Sequence, residues 1–274
     1  MTKKSISKIL LYFILTLGGI IMIVPFLWMI VTALKTGSET AKIPPTLIPQ
    51  NPQWGNFIKA WNAAPFLRYF LNSTFVMIVT TIGQIITTIL GAFAFARLEF
   101  YGKKTIFILC MATMMVPSEM LIIPNFVTLS KLGMINTYAA LIVPWLASFF
   151  AVFTLRQTFM TIPDELYYAA KIDGTSDWYF LWRIIVPLSK STIVALATLE
   201  MIGSWNSFMW PMIATNSDKM RTLPVGLSAF TTDAGTQYQL LMAASTIIVI
   251  PMIVIYVFLQ KYIIAGVTRS GLKG

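Results

Sequence analysis

Ile162-Pro163-Asp164-Glu165-Leu166-Tyr167-Tyr168-Ala169-Ala170-Lys171-Ile172-Asp173-Gly174, continuing through Thr175-Ser176-Asp177-Trp178 to Ile184-Ile185-Val186-Pro187, is a polar island in an apolar chain. Six of the thirty charged residues lie between Asp164 and Arg183, and segments long enough to cross a bilayer flank them on both sides. The island must therefore lie in water. Its pattern predicts a folded element. Thr161 stands as an N-cap with Asp164 at the third helical position, Leu166, Ala169, Ala170 and Ile172 recur at helical spacing, and Gly174 supplies a stop. A second short helix is expected to start at Ser176, with Asp177 in its favourable first turn, and to end before Pro187.

The composition around this island is that of a polytopic membrane protein. Hydrophobic residues make up 57% of 274 and charged residues 11%, with a mean hydropathy of +0.76; a soluble domain carries roughly a quarter charged residues. The net charge of +10 does not point to nucleic acid, because the basic residues sit in small clusters beside apolar segments and form no continuous stripe. There is no histidine, and the one cysteine, Cys110, lies in an apolar run and reads as a packing residue. An intrachain disulfide, a histidine-based zinc site and Cys-His chemistry are excluded. No segment matches G-x-x-x-x-G-K-[ST], so ATP-driven work would need another chain.

Six apolar segments are predicted to span, at about 9–34, 69–96, 105–129, 136–155, 191–213 and 234–260. The first, 26 uncharged residues after Lys3, Lys4 and Lys8, exceeds a signal-peptide core and reads as a helix. Residues 35–68, with five prolines, read as an external loop of little regular structure, in which Trp54, Phe57, Ala60 and Trp61 could form one amphipathic turn. With the N-terminus inside, thirteen basic residues are cytoplasmic against seven outside. The asymmetry places both termini and the loop 156–190 in the cytoplasm. A β-barrel is disfavoured because the uncharged runs far exceed a tilted strand of about 10 residues. The fold class is all-α.

Polar residues inside these segments are candidate pathway groups. Glu119, between Pro117 and Pro124 with Asn125 following, needs a partner, a membrane edge or water, because a bare carboxylate in lipid costs several kcal/mol. Glu200, Trp205 and Asn206 combine a carboxylate, an aromatic face and an amide, a mixture that suits a polyhydroxylated solute; helix packing is the structural alternative for all five.

At Tyr168-Ala169-Ala170-x-x-x-Gly174, followed after nine residues by Ile184-x-Val186-Pro187, the chain resembles the EAA loop of binding-protein-dependent ABC importer permeases, whose pattern is EAA-x3-G-x9-I-x-LP. Ile162-Pro163, Glu165-Leu166, Ile172-Asp173-Gly174 and Trp182-Arg183 are similar to the carbohydrate-uptake branch and its MalG-like subunit. Further similar stretches run nearly end to end, among them Gly91-Ala92-Phe93-Ala94-Phe95-Ala96-Arg97 and Gly203-Ser204-Trp205-Asn206 through Trp210-Pro211. The resemblance implies one permease domain, residues 1–274, with a type I ABC importer fold in the bacterial cytoplasmic membrane. It also implies a coupling helix that docks on an ATPase subunit through Glu165, Leu166, Tyr168, Ala169, Ala170, Asp173, Gly174 and Pro187.

The implied partners are a homologous second permease, two ATP-binding subunits that hold MgATP, an extracytoplasmic solute-binding protein and membrane lipid. No cofactor and no catalytic residue are implied in this chain. Two positions depart from the signature: Tyr168 stands where it has glutamate and Val186 where it has leucine. Glu165, three residues before Tyr168, presents a carboxylate on a neighbouring face, which motivates it as a replacement. A sugar or oligosaccharide is the expected solute. A glycerol-phosphate importer is the alternative, because Ala112-Thr113-Met114-Met115 and Met220-Arg221-Thr222 are similar to permeases of that kind. An ion-coupled transporter is compatible with the bent third segment but does not account for the island. No convergent nucleophile or metal cluster supports a membrane enzyme.

Overall fold

A computed structural model describes the backbone of residues 3–232 and 235–271, with side chains for 8–232 and 235–260. The side chains of Lys3, Lys4, Lys261, Arg269 and Lys273, which enter the charge reading, lie outside the described residues. Among the described residues the regular structure is helical, apart from a small antiparallel hairpin in which Thr231–Thr232 pairs with Gly235–Thr236.

Among the described residues three helices are long and apolar enough to cross a membrane unbroken. They are α1 (Lys3–Ala33), α3 (Phe66–Arg97) and α12 (Tyr238–Gly271), with α2 (Gly55–Asn62) between the first two. Three bent pairs, each counted as one span, bring the number to at most six. In the first, α4 (Lys103–Thr113) turns by 92° into the segment 118–131 that ends in α5 (Ile122–Lys131). In the second, α6 (Tyr138–Ile142) and the turn after it bend by 43° into α7 (Phe149–Met160).

Next come α8 (Asp164–Ile172) and α9 (Asp177–Phe180), whose continuation to Leu188 meets α10 (Lys190–Asn206) at 80°; α11 (Met209–Ala214) follows. The breaks fall where the chain favours them. Pro117 opens the tight turn Ser118–Leu121, and Pro144 sits in the turn Val143–Trp145, positions where a missing N–H costs least.

By internal contacts the chain divides into two units, residues 1–66 with 226–251 and residues 67–225 with 252–274. In the first, α1 carries exposed apolar side chains around its whole circumference from Ile9 to Phe26, a surface suited to lipid or to another membrane helix. The segment after it is more ordered than its prolines suggest. Asn56 Nδ2 donates to Ala33 O at 2.8 Å and Lys35 O at 2.9 Å, satisfying carbonyls at the end of α1. Buried Lys35 donates to Thr46 O and lies 4.5 Å over the Trp28 ring. Buried Glu39 accepts from the Gln50 amide at 2.8 Å and the Thr36 amide at 3.2 Å. Within α2, Ala60 is buried and Trp54, just before it, is exposed.

In the second unit α3 is the central element. Near its start, Val76 packs with Leu141, Trp210 and Ala214. Near its end, Ile89, Ala92 and Phe93 pack with Leu155 and Phe159 of α7 and with Ala170, Phe180 and Ile185. Val76 and Phe93 are seventeen residues apart, about 25 Å along a helix. Gly83 sits where a Cβ would come within 2.4 Å of Leu146 Cδ2, so the absence of a side chain lets the 137–146 segment lie against α3.

Candidate functional site

The island at 156–190 folds as two short helices around a glycine. Gly174 takes φ +73°, its amide donates to Lys171 O at 3.0 Å and the Thr175 amide donates to Ala170 O at 2.8 Å. These two bonds are a Schellman closure, and they need the left-handed residue that glycine supplies. Ser176 caps α9, its hydroxyl accepting from the Tyr179 amide at 3.2 Å, as its position before Asp177 suggests.

Two sequence expectations are corrected here. Thr161 is not the N-cap of α8: it ends α7, and its hydroxyl donates to Thr158 O at 2.8 Å. Pro163, extended at ψ 139°, occupies the cap position without a side-chain bond. Nor does the second helix end before Pro187. It passes through a π-helical turn, Leu181–Ile185, in which the Val186 amide reaches Leu181 O, and runs on to Leu188. The wide turn shifts the hydrogen-bond register ahead of a residue that has no N–H to give.

Asp177 locks the two helices together. Its Oδ1 accepts from Tyr167 Oη at 2.7 Å and pairs with Lys171 Nζ at 2.7 Å, while the Tyr167 ring meets Phe180 edge-on. The Lys171 hydrogen bond, then that of Tyr167, holds the Asp177 carboxyl below its ordinary value. The same bond raises Lys171. Burial, with the contact to Asp177 added, raises Tyr167.

The outer surface of α8 presents Glu165, Leu166, Tyr168, Ala169, Ile172 and Asp173 to solvent. Ile172 is 86% exposed and Tyr168 62%, an unusual price in water for side chains of that size. Ala170 instead faces the chain's own core, and Pro187 is exposed in the last turn before Ser189. Trp178 and Tyr179 extend the exposed aromatic surface.

A clasp that sequence reading missed ties α8 to α3. The Arg97 side chain, 4% exposed, pairs with Asp164, and its Nη2 donates to Phe159 O at 2.8 Å and Ile162 O at 2.6 Å. Arg156 of α7 returns the contact, its Nε donating to Phe95 O at 3.0 Å. Each arginine thus supplies charge and donors to carbonyls at or just beyond the C-terminal turn of the other helix. The signal in the sequence was an arginine in the last turn of an apolar helix.

Toward the other end of α3 lies a cavity of ≈ 250 Å³. Ser73, Thr80, Glu200, Ser204, Ser207 and Thr222 give it polar atoms, and Val76, Trp145 and Trp210 give it apolar walls. The hydroxyls of Thr80 and Thr222 are buried without a hydrogen-bond partner among the described residues. Among the described residues no lysine or arginine lines the cavity. Of the candidate pathway residues only Glu200 reaches it. Trp205 is buried edge-on against Phe70, and exposed Asn206 turns back to donate to Ile202 O. Glu119 is exposed beside Ser118, and half-buried Asn125 lies elsewhere on α5. Among the described residues no cluster of three acidic, cysteine or histidine side chains could hold a metal.

Residues 87–269 match the family described as binding-protein-dependent transport system inner membrane component. The chain is 34% identical over 279 residues to the arabinooligosaccharides transport system permease protein AraQ of Halalkalibacterium halodurans, covering 99% of this chain and 100% of that protein. It is 33% identical over 267 residues to the sn-glycerol-3-phosphate transport system permease protein UgpE of Yersinia pestis, covering 94% and 95%. Among solved structures, a chain of a bacterial ABC transporter involved in import of the acidic polysaccharide alginate superposes with a TM-score of 0.82 at 19% identity, covering 96% of this chain and 98% of that one. That likeness supports a shared type I permease fold.

Proposed function

Because this chain belongs to the family of binding-protein-dependent transport system inner membrane components, we propose that it forms half of the channel of an importer for a sugar or short oligosaccharide, driven through residues 163–187. It is a transport permease and not itself an enzyme, and ATP is used by separate nucleotide-binding subunits of the complex. The observation that carries the reading is mechanical. A solvent-exposed apolar surface on α8 is joined by the Arg97 clasp to the helix whose other half lines a polar cavity.

On this reading Leu166, Tyr168, Ala169, Ile172 and the carboxylates of Glu165 and Asp173 contact an ATPase subunit, and loop 156–190 and both termini are cytoplasmic. Closure of the ATPase pair moves α8 against the membrane. Rigid coupling then carries that motion along α3 toward Ser73 and Thr80. A homologous second permease completes the channel, and an external solute-binding protein delivers the solute. Glu200 and the free hydroxyls of Thr80 and Thr222 favour a neutral polyhydroxylated solute, because an anion in this cavity meets a carboxylate and no cation. The AraQ relative supports the same choice. Transport of glycerol phosphate is the second reading, favoured by the UgpE relatives.

Reconstitution of the complete complex in proteoliposomes tests the proposal. Uptake should stop when ATP is withheld while ion gradients persist; uptake that continues defeats it. Ligand binding by the cognate solute-binding protein separates a sugar from a phosphate ester.

A further inference from the structure

At the end of α3 that carries Arg97 there is a second, larger cleft, of ≈ 610 Å³, that the transport reading does not use. It lies between the 99–105 turn, α4 and α7, where apolar helices end and charged residues begin. Glu99, Lys103, Lys104, Thr105 and Arg156 supply its polar atoms, and Phe100 and Ile108 contribute apolar walls. We propose that this cleft binds the headgroup of an anionic phospholipid of the membrane leaflet on that side, with the acyl chains lying along α4.

Three independent features point to that occupant. The first is charge. Lys103 is neutralised by Glu99, to which its Nζ lies at 3.1 Å. Arg156 spends its Nε on Phe95 O and is held 4.4 Å from the Phe107 ring, which leaves its terminal nitrogens with no bond among the described residues. Lys104 is exposed and makes no hydrogen bond or ion pair among the described residues. The cleft therefore carries about two uncompensated positive charges, which suit a phosphodiester.

The second feature is backbone. Gly102, at φ +78°, precedes the 11-residue α4 as an N-cap with no side-chain bond; the Lys103 amide donates to Phe100 O at 3.3 Å, which leaves the amides of Lys104 and Thr105, with the Thr105 hydroxyl, at the border of a cationic pocket. The third is position. Ile106, Ile108 and Leu109 leave the cleft along α4 as exposed apolar side chains, a continuous track for hydrocarbon that a soluble phosphate or an acidic peptide would leave bare.

The inference takes from the proposed function only the assignment of this end to the inner leaflet. Lipid retention is read without transport, so either can fail alone. The purified complex, carried in nanodiscs of phosphatidylcholine with phosphatidylglycerol, is released into detergent and its retained lipids are measured by native mass spectrometry. Wild type should retain phosphatidylglycerol over phosphatidylcholine. Lys104→Gln should weaken that preference about fivefold and Lys104→Glu more, the expected effect of one basic group beside an anionic surface, whereas Lys131→Gln, equal in charge, should leave it intact. Equal retention of the two lipids by wild type, an unchanged preference in both Lys104 variants, or an equal loss in Lys131→Gln overturns the proposal. So does displacement of the retained lipid by inorganic phosphate, which would identify a soluble-anion site.

Discussion

Replacing Arg97 by glutamine should loosen α8 from α3 without unfolding the spans. The lost contacts are two charge-assisted bonds to Phe159 O and Ile162 O and one ion pair to Asp164. The carbonyl bonds lie in a buried setting, and hydrogen bonds to charged groups contribute about 1.5–3 kcal/mol each, so the pair represents about 3–6 kcal/mol. The Asp164 carboxylate is 69% exposed, so its ion pair contributes at most about 1 kcal/mol. Hydrogen exchange of the amides of residues 164–172, followed in the detergent-solubilised protein, measures the difference. Arg97→Gln should raise their opening equilibrium about a hundredfold or more, since about 1.4 kcal/mol is one decade. Asp164→Asn should raise it less than about tenfold. The double variant should add little to Arg97→Gln, because both changes remove one interaction. Equal effects of the two single variants, or none from Arg97→Gln, would refute the assignment of the clasp to the carbonyls.

Gly174→Ala should weaken the Schellman closure by about 1–2 kcal/mol from conformation alone, because no atom lies within 4 Å of the added Cβ; faster exchange of the Thr175 amide is the readout. Glu165→Gln is expected to lower transport-coupled ATPase activity in the assembled complex about tenfold, a contact of about 1.4 kcal/mol, and Tyr168→Glu in that background should restore it. An unaffected Glu165→Gln variant would remove the replacement idea. The stability of the two-helix element at 164–188 should fall at both pH extremes. Asp177 is held below its ordinary value, so its contribution is complete above about pH 4 and is lost as pH falls through the lowered value. Lys171 is raised, so its contribution is complete below about pH 10 and is lost as pH rises through the raised value. Limited proteolysis of the 161–188 segment across pH should show a protected plateau between those limits, and Asp177→Asn should abolish both edges.

The exposed face of α8 and the cavity also place limits on how the candidate residues divide. Leu166, Tyr168 and Ala169 stand outward, whereas Ala170 fills the space between α8 and α7. A helix of nine residues cannot offer every position of a motif to a partner, since each turn has an inward side. In the cavity, Glu200 is accompanied by hydroxyls from α3 and from the segment before Leu223. Trp205, five residues on, points to a different side of α10 and packs with Phe70.

Hydropathy, charge asymmetry, the Gly174 stop and the Ser176 cap are properties of neighbouring residues, and the chain declares them directly. Lengths of uncharged sequence reflect the cost of placing charge in lipid, and a glycine after a helical period reflects a local steric rule. The helical class of the protein and the existence of a two-helix island were legible for that reason. The Arg97 clasp joins residues more than sixty positions apart, Arg156 reaches back as far, and the cavity brings Ser73 to Glu200 and Thr222. Such pairings depend on how spans bend and cross, which hydropathy does not encode. The cap at Pro163 belongs with them, because Arg97 of α3, distant in sequence, meets the Ile162 carbonyl just before it where no side chain of the cap does.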